Sequence, residues 1–289
     1  MEPGFLLHGY YACEGVYVQA CIDAYKLGLI GADGSWGFNA RMDKVLTFLE
    51  TRELNNASYP YWFYHAPDGK DYHEASDKAT SPVDVVDTGR LFVALNNLRT
   101  VNSSWISRVN NFVYNVNGNR SDYAALVPGI MSQNTSNSIY AYYVASGFAA
   151  FWPDHLSSVP NTILNNILSD GTVKTSQGVS LPNAIITGDP LFCSIFELNN
   201  NDTKLTNIAK QVYLAHEAYY NATGQYRAFG EGPSLSTDWE YEWVVYGNQT
   251  WITLYSNYQP TNVPPLIYTK ISMSFLALYN TTFAYNMAV

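Results

Sequence analysis

The segment Thr237-Asp238-Trp239-Glu240-Tyr241-Glu242-Trp243 alternates acidic and aromatic side chains. In an extended strand successive side chains point to opposite faces, so Asp238, Glu240 and Glu242 share one face and Trp239, Tyr241 and Trp243 the other. Rings stack on the faces of sugars and carboxylates bind or protonate their oxygens, so this pattern suits a carbohydrate cleft. A hairpin with a buried aromatic face and a solvated acidic one would carry the same pattern, and both readings stay open. Just upstream, Gly230-Glu231-Gly232-Pro233 holds a carboxylate between glycines. Asp84 and Asp87 stand one turn apart where a helical stretch begins, with Arg90 a turn further on; Asp189 and Glu14 open two other stretches. Acids there serve as caps and dipole partners, or as reactive groups aimed out of the helix starts. Glycoside hydrolysis needs two carboxylates, one protonated and one ionised, and wider apart when water attacks directly. The acid/base candidates are Asp87, Glu231, Glu240, Asp189 and Glu14, with an inverting mechanism favoured. Trp239, Trp243, Tyr64, Trp62, Asp84, Arg90 and Asp238 are the candidate sugar contacts.

Composition narrows the alternatives. The 289 residues are 47% hydrophobic, 15% aromatic and only 13% charged, which excludes an intrinsically disordered chain. A net charge of −9 with 15 Lys and Arg argues against nucleic-acid binding, which needs clustered cations. No apolar run is long enough to span a membrane; the longest, 139–152, is too short and carries Ser146 and Gly147. The five His residues never reach metal-ligand spacing, and no Walker, Rossmann or nucleophile-elbow motif is present, so no metal and no cofactor are expected. Cys13 and Cys21, on one helix, would be roughly 12 Å apart in rise, too far for a disulfide. Asn-X-Ser/Thr sequons start at Asn56, Asn102, Asn119, Asn134, Asn201, Asn221, Asn248 and Asn280, where about four would arise by chance. This excess, with few charges and many neutral polar groups, predicts a glycosylated protein outside the cell or on its surface.

Apolar residues recur at helical spacing over nine stretches: 14–29, 39–54, 84–98, 103–116, 137–152, 156–168, 189–198, 203–220 and 266–279. The first, third, fifth and last are rich in small and apolar residues; the fourth, sixth and eighth carry Asn, Lys and Ser on one face. Buried helices alternating with amphipathic ones are what an inner and an outer ring would require. Short connections make neighbours antiparallel, so the inner helices would share one direction. The long loops at 55–82, 117–136, 169–188 and 224–265 would then gather at one end. The predicted fold is all-α: an (α/α)6 toroid, one domain over 1–289, with long loops and a short β-hairpin on one face. At the seventh stretch, Asp189-Pro190 predicts an N-cap carboxylate followed by a first-turn proline.

Several stretches also resemble a known family in order: Cys13 to Tyr17 with Ala24 to Ile30, Tyr59 to Tyr64, Val86 to Leu95, Tyr140 to Phe148, Tyr213 to Gly224 and Ser272 to Tyr279. Together they resemble the domain of unknown function numbered 3131, which is grouped with the glucoamylase-like six-hairpin glycosidases. The resemblance implies an (α/α)6 toroid and an ancestral role in polysaccharide hydrolysis. In that pattern Asp87 is matched, and the acid of the seventh helix falls on Glu197 or, with a shifted alignment, on Asp189. Cys13 replaces an Asp, Ala141 and Tyr142 replace a pair of Glu, and the family's usual N-terminal helix is not in the sequence. The expected function is hydrolysis of an extracellular oligo- or polysaccharide by carboxylate acid/base chemistry. The substitutions set against it a catalytically inactive relative that binds glycans or builds a cell-surface assembly.

Overall fold

The computed structural model describes residues 8–55, 58–61, 63–65, 70–71, 85–118, 120–198, 202–233, 239–255, 257–261 and 264–289. They fall into two compact units, Met1–Ser132 with Val144–Ser157, and Gln133–Tyr143 with Ser158–Val289.

The first unit contains strand β1 (His8–Tyr10), helices α1 (Tyr11–Lys26) and α2 (Phe38–Thr51), strands β2 (Phe63–His65) and β3 (Lys70–Asp71), helices α3 (Val85–Val101), α4 (Ile106–Val113) and α5 (Val127–Met131), the later part of α6 (Ile139–Ala149), and α7 (Pro153–Leu156). The strands form an antiparallel sheet in the order β1-β2-β3. Helix α2 buries Phe38, Met42, Leu46 and Leu49, a single stripe at helical spacing. Helix α3 instead buries Thr88, Gly89, Leu91 through Leu95, and Leu98, so it has no solvent face of comparable width. Of the two, α3 is the stretch predicted to be an inner helix.

Small residues let the inner helices touch at backbone distance. A Cβ on Gly15 of α1 would lie 3.1 Å from the Leu91 backbone of α3, and one on Gly89 of α3 would lie 2.7 Å from Val144 Cγ1 of α6. A Cβ on Gly147 would lie 2.2 Å from the Gly89 carbonyl oxygen, which belongs to backbone and cannot swing away. Gly147→Ala is therefore expected to cost about 3 kcal/mol or more, at the upper end of overpacking effects. Chemical denaturation would show it; a midpoint within error of the unsubstituted protein would refute so tight a crossing.

The second unit contains the start of α6, helix α8 (Val159–Ser169), strands β4 (Thr172–Lys174) and β5 (Ser180–Pro182), helices α9 (Gly188–Phe196) and α10 (Thr203–Thr223), strands β6 (Glu231–Pro233), β7 (Trp239–Tyr246) and β8 (Gln249–Tyr255), and helices α11 (Thr269–Tyr279) and α12 (Thr282–Ala288). Helix α8 turns one face inward through Val159, Ile163, Leu164 and Ile167. Helix α10 is capped by Asp202, whose carboxylate accepts from Lys204 N at 2.8 Å, and stops at Gly224, left-handed at φ 70°. Helix α12 lies beyond the last stretch that the spacing predicts. Asn280 turns left-handed at φ 44° to end α11, and Thr281 caps a new helix by accepting from Ala284 N at 3.2 Å. The loops at 169–188 and 224–265 fold into the β4-β5 hairpin and the antiparallel sheet β6-β7-β8.

Candidate functional site

In the second unit the chain segments leading into α6, α9 and α11 are joined by backbone hydrogen bonds. Ile139 N donates to Ile185 O at 3.1 Å, and Ile186 N to Val245 O at 3.0 Å. Gly188 N donates to Phe229 O, and Tyr268 N to Ala228 O, each at 3.2 Å. The starts of these three helices thus gather around the β6-β8 sheet.

Strand register sorts the side chains. Tyr241 of β7 lies opposite Glu231 of β6, and Glu240 lies opposite Gly232. Glu231, Tyr241 and Trp243 therefore share one face, and Glu240 and Glu242 share the other. The alternation read from the sequence is present, but its burial is the reverse of the simple hairpin. Glu240 and Glu242 are 0% exposed, whereas Trp239 is 37% exposed and Tyr241 half-buried. Trp243 is buried.

The glycines around Glu231 now have a reason. A Cβ on Gly230 would lie 2.6 Å from Asp189 Oδ2, and one on Gly232 would lie 2.7 Å from Tyr268 Cε1. Both groups close on β6 because those side chains are missing. Asp189 is 4% exposed; it accepts from Glu231 N at 2.8 Å and pairs with Lys270 Nζ of α11. It is not the cap of α9, as its place before Pro190 suggested. Thr187 occupies the N-cap and donates its hydroxyl to Glu242 O at 2.7 Å, which frees Asp189 for β6 and α11.

Glu231 is held from α6: the Tyr140 hydroxyl donates to its Oε2. Burial first, then the charges of Glu231 and Asp189, push the Tyr140 phenol well above its ordinary value, so it stays a proton donor. Tyr268 is raised by burial first and then by Glu242, Glu240, Asp189 and Glu231. Glu242 accepts from Leu266 N at 2.5 Å, while its Oε2 is buried without a partner among the described residues. Burial, reinforced by Glu240, pushes its carboxyl up to about 8, so it carries a proton at neutral pH. Behind β8, His216 is 0% exposed and burial lowers it to about 4. The neutral ring bridges Val212 O at 2.8 Å and Phe229 N at 3.2 Å, fixing α10 to the segment before β6.

The remaining sequence candidates are distributed differently. Glu14 lies in the first unit, pushed up to about 8 by burial against the opposing effect of Arg52, and its Oε2 is buried without a partner among the described residues. Asp87 and Arg90 are half-buried near the start of α3 in the same unit. Tyr64 is 2% exposed, edge-on to Phe48 and bonded through its hydroxyl to Glu53 O at 2.8 Å. Its ring belongs to the core and offers no open face. Glu197 sits past the other end of α9 from Asp189, where Tyr143 donates to it. Trp62, Asp84 and Asp238 lie outside the described residues, as do Asn56, Asn119 and Asn201. Asn134, Asn221, Asn248 and Asn280 are exposed; Asn102 caps a turn by accepting from Ser104 N. Asn248 and Asn280 have left-handed φ of 65° and 44°, a conformation that favours Asn with or without a glycan. Sequence reading missed Tyr140, Tyr268 and Lys270, and named Glu242 only as part of the alternating strand.

Solved structures share the fold. A "putative glucoamylase" from Bacteroides caccae is 15% identical, with a TM-score of 0.58 over 97% of this chain and 72% of that one. A second "putative glucoamylase", from Bacteroides fragilis, is 13% identical, with a TM-score of 0.59 over 100% and 72%. An endo-β-1,2-glucanase from Chitinophaga pinensis, solved with sophorotriose and glucose, is 11% identical, with a TM-score of 0.59 over the same shares. The fold is thus the glucoamylase-like toroid class read from the sequence. The chain belongs to the DUF3131 family, proteins of unknown function, whose model matches residues 13–288. No curated protein matches it. Among the described residues no helix is long and apolar enough to cross a membrane.

Proposed function

We propose that this chain hydrolyses a glycosidic bond in an oligo- or polysaccharide, by carboxylate acid/base chemistry without a metal. The observation that carries this reading is the grouping of Asp189, Glu231, Glu240 and Glu242 on β6, β7 and the first turn of α9, beside an aromatic sheet face, in a glycoside-hydrolase-like fold. Glu231 is the member assigned to the substrate. It is only half-buried, lies on the aromatic face, and is oriented by Tyr140 and by the anchorage of its backbone on Asp189. Glu240 and Glu242 are sealed on the opposite face. The exposed sequon asparagines and the low charge support an extracellular or cell-surface location.

The test is a screen of the purified protein against α- and β-glucans, β-1,2-linked glucan included, and against mannans and arabinans. Release of reducing sugar from at least one is expected, and its absence across all of them defeats the hydrolytic reading. A second reading, an inactive relative that binds glycans, is favoured by one observation. Two of the four carboxyl groups are 0% exposed and a third is held by Lys270, whereas the aromatic face reaches solvent. Retention on a glycan column without turnover would decide for it.

A further inference from the structure

Tyr258 stands just past β8, 60% exposed, with a left-handed backbone at φ 61°. That conformation is unfavourable for a bulky side chain and natural for Gly or Asn. The turn around it is closed by Tyr258 N donating to Tyr255 O and Tyr255 N donating to Gln259 O, each at 2.8 Å. Those bonds are made by backbone and do not need a tyrosine. What the side chain adds is a ring lying within 5° of parallel to Tyr241, with centroids 6.2 Å apart. Tyr241 in turn lies within 21° of Trp243 at 5.8 Å, and Trp243 meets the edge of Tyr140 at 5.9 Å. Tyr140 is the donor to Glu231. The rings therefore step inward from solvent to the half-buried carboxylate, one ring at a time.

We propose that Tyr258 and Tyr241, the latter backed by the buried Trp243, form a shelf along which successive residues of a neutral glycan chain lie on their way to Glu231. The assignment rests on the carbohydrate reading given above. The step of 6.2 Å from Tyr258 to Tyr241 is of the order of one sugar ring, and aromatic faces take the C–H faces of sugars while phenol hydroxyls and Glu231 meet their OH groups. An anionic chain would be repelled by the carboxylate at the inner end. The shelf implies a site that grips several residues of a chain rather than a lone monosaccharide.

The test measures binding by intrinsic tryptophan fluorescence in the Glu231→Gln protein, with β-1,2-linked and α-1,4-linked gluco-oligosaccharides from disaccharides upward. Affinity should climb with chain length for one series. Tyr258→Asn should lower affinity for the longest oligomer about tenfold and leave the disaccharide unchanged, the effect of one lost ring contact. Tyr258→Phe, which keeps the ring, should bind as the parent does. Tyr258→Asn should also melt no lower than the parent, because Asn suits the left-handed backbone, so lost binding cannot be put down to lost folding. Affinity without length dependence, equal affinity in Tyr258→Asn, or no binding of either series overturns the shelf. Length-dependent binding with no turnover by the unsubstituted protein leaves the shelf standing and defeats hydrolysis; turnover indifferent to Tyr258 does the reverse.

Discussion

Stability should fall by several kcal/mol between pH 5 and pH 8.5, with the steepest loss above pH 6.5. Glu242 and Glu14 both have carboxyl groups raised to about 8 in the folded protein, chiefly by burial, against 4.5 for the ordinary group. From about pH 4.5 to 8 the unfolded chain has released these protons while the folded chain holds them, so each rise in pH favours unfolding. Their stabilising contribution is complete below about 4.5 and gone once pH passes about 8. A tenfold difference in proton affinity between folded and unfolded chain is worth about 1.4 kcal/mol, which puts each group at about 5 kcal/mol. His216 acts in the opposite sense. Its folded value of about 4 lies below the ordinary 6.5, so it weakens the fold as pH drops through that interval. Between about 4.5 and 6.5 it offsets about half of the carboxyl slope; above 6.5 it contributes nothing and the two acids act together. The optimum therefore falls at about pH 4–5. Urea denaturation across this range checks the profile, and Glu242→Gln should halve the slope above pH 6.5, raising stability at pH 8 with little change at pH 5. Stability that is flat or rising from pH 5 to 8 would show that neither group holds its proton in the folded protein. Such a profile suits an acidic exterior, in keeping with the low charge content.

Much of this architecture can be read from the residues, and the unread parts have definite causes. Helices such as α2 and α8 are visible because their buried residues keep a 3.6-residue period. The inner helices are visible because Gly15, Gly89 and Gly147 leave room for backbone contact. In β7 the alternation fixes which residues share a face, but a two-residue period is symmetric and does not say which face is sealed. That choice is made by tertiary neighbours: Leu266 N bonding Glu242, and Tyr268 filling the space above Gly232. Tyr140 is illegible as a partner of Glu231 because 91 residues separate them and 24 tyrosines make any one of them unremarked. Lys270 and Asp189 are likewise joined only by folding. Asp189 looks like a cap because Asp-Pro is a local signal; the fold gives that place to Thr187 and uses the carboxylate elsewhere.

Glu231→Gln should reduce turnover of the best polysaccharide substrate by a factor of about 10²–10⁴, the usual worth of a positioned acid or base. The substitution is nearly isosteric, and the Gln carbonyl can still accept from Tyr140, so the β6-α6 contact survives. Melting temperature and glycan affinity should stay close to those of the parent, and the loss should lie in kcat rather than KM, as expected when an interaction made in the transition state is removed. Tyr140→Phe tests the same arrangement from the other side. It leaves the carboxylate in place but takes away its orienting donor, and should cost about tenfold through misplacement. The double variant should be no worse than Glu231→Gln alone, because Tyr140 acts on the reaction only through Glu231. Independent, multiplying losses would mean that the phenol meets the substrate directly. Full turnover in Glu231→Gln would remove Glu231 from the chemistry and send the search to Glu14 or Asp87 in the other unit. A protein inactive before any substitution but still holding glycan through Trp239 and its neighbours would leave this face as a binding surface, with Lys270 keeping Asp189 as a structural ion pair.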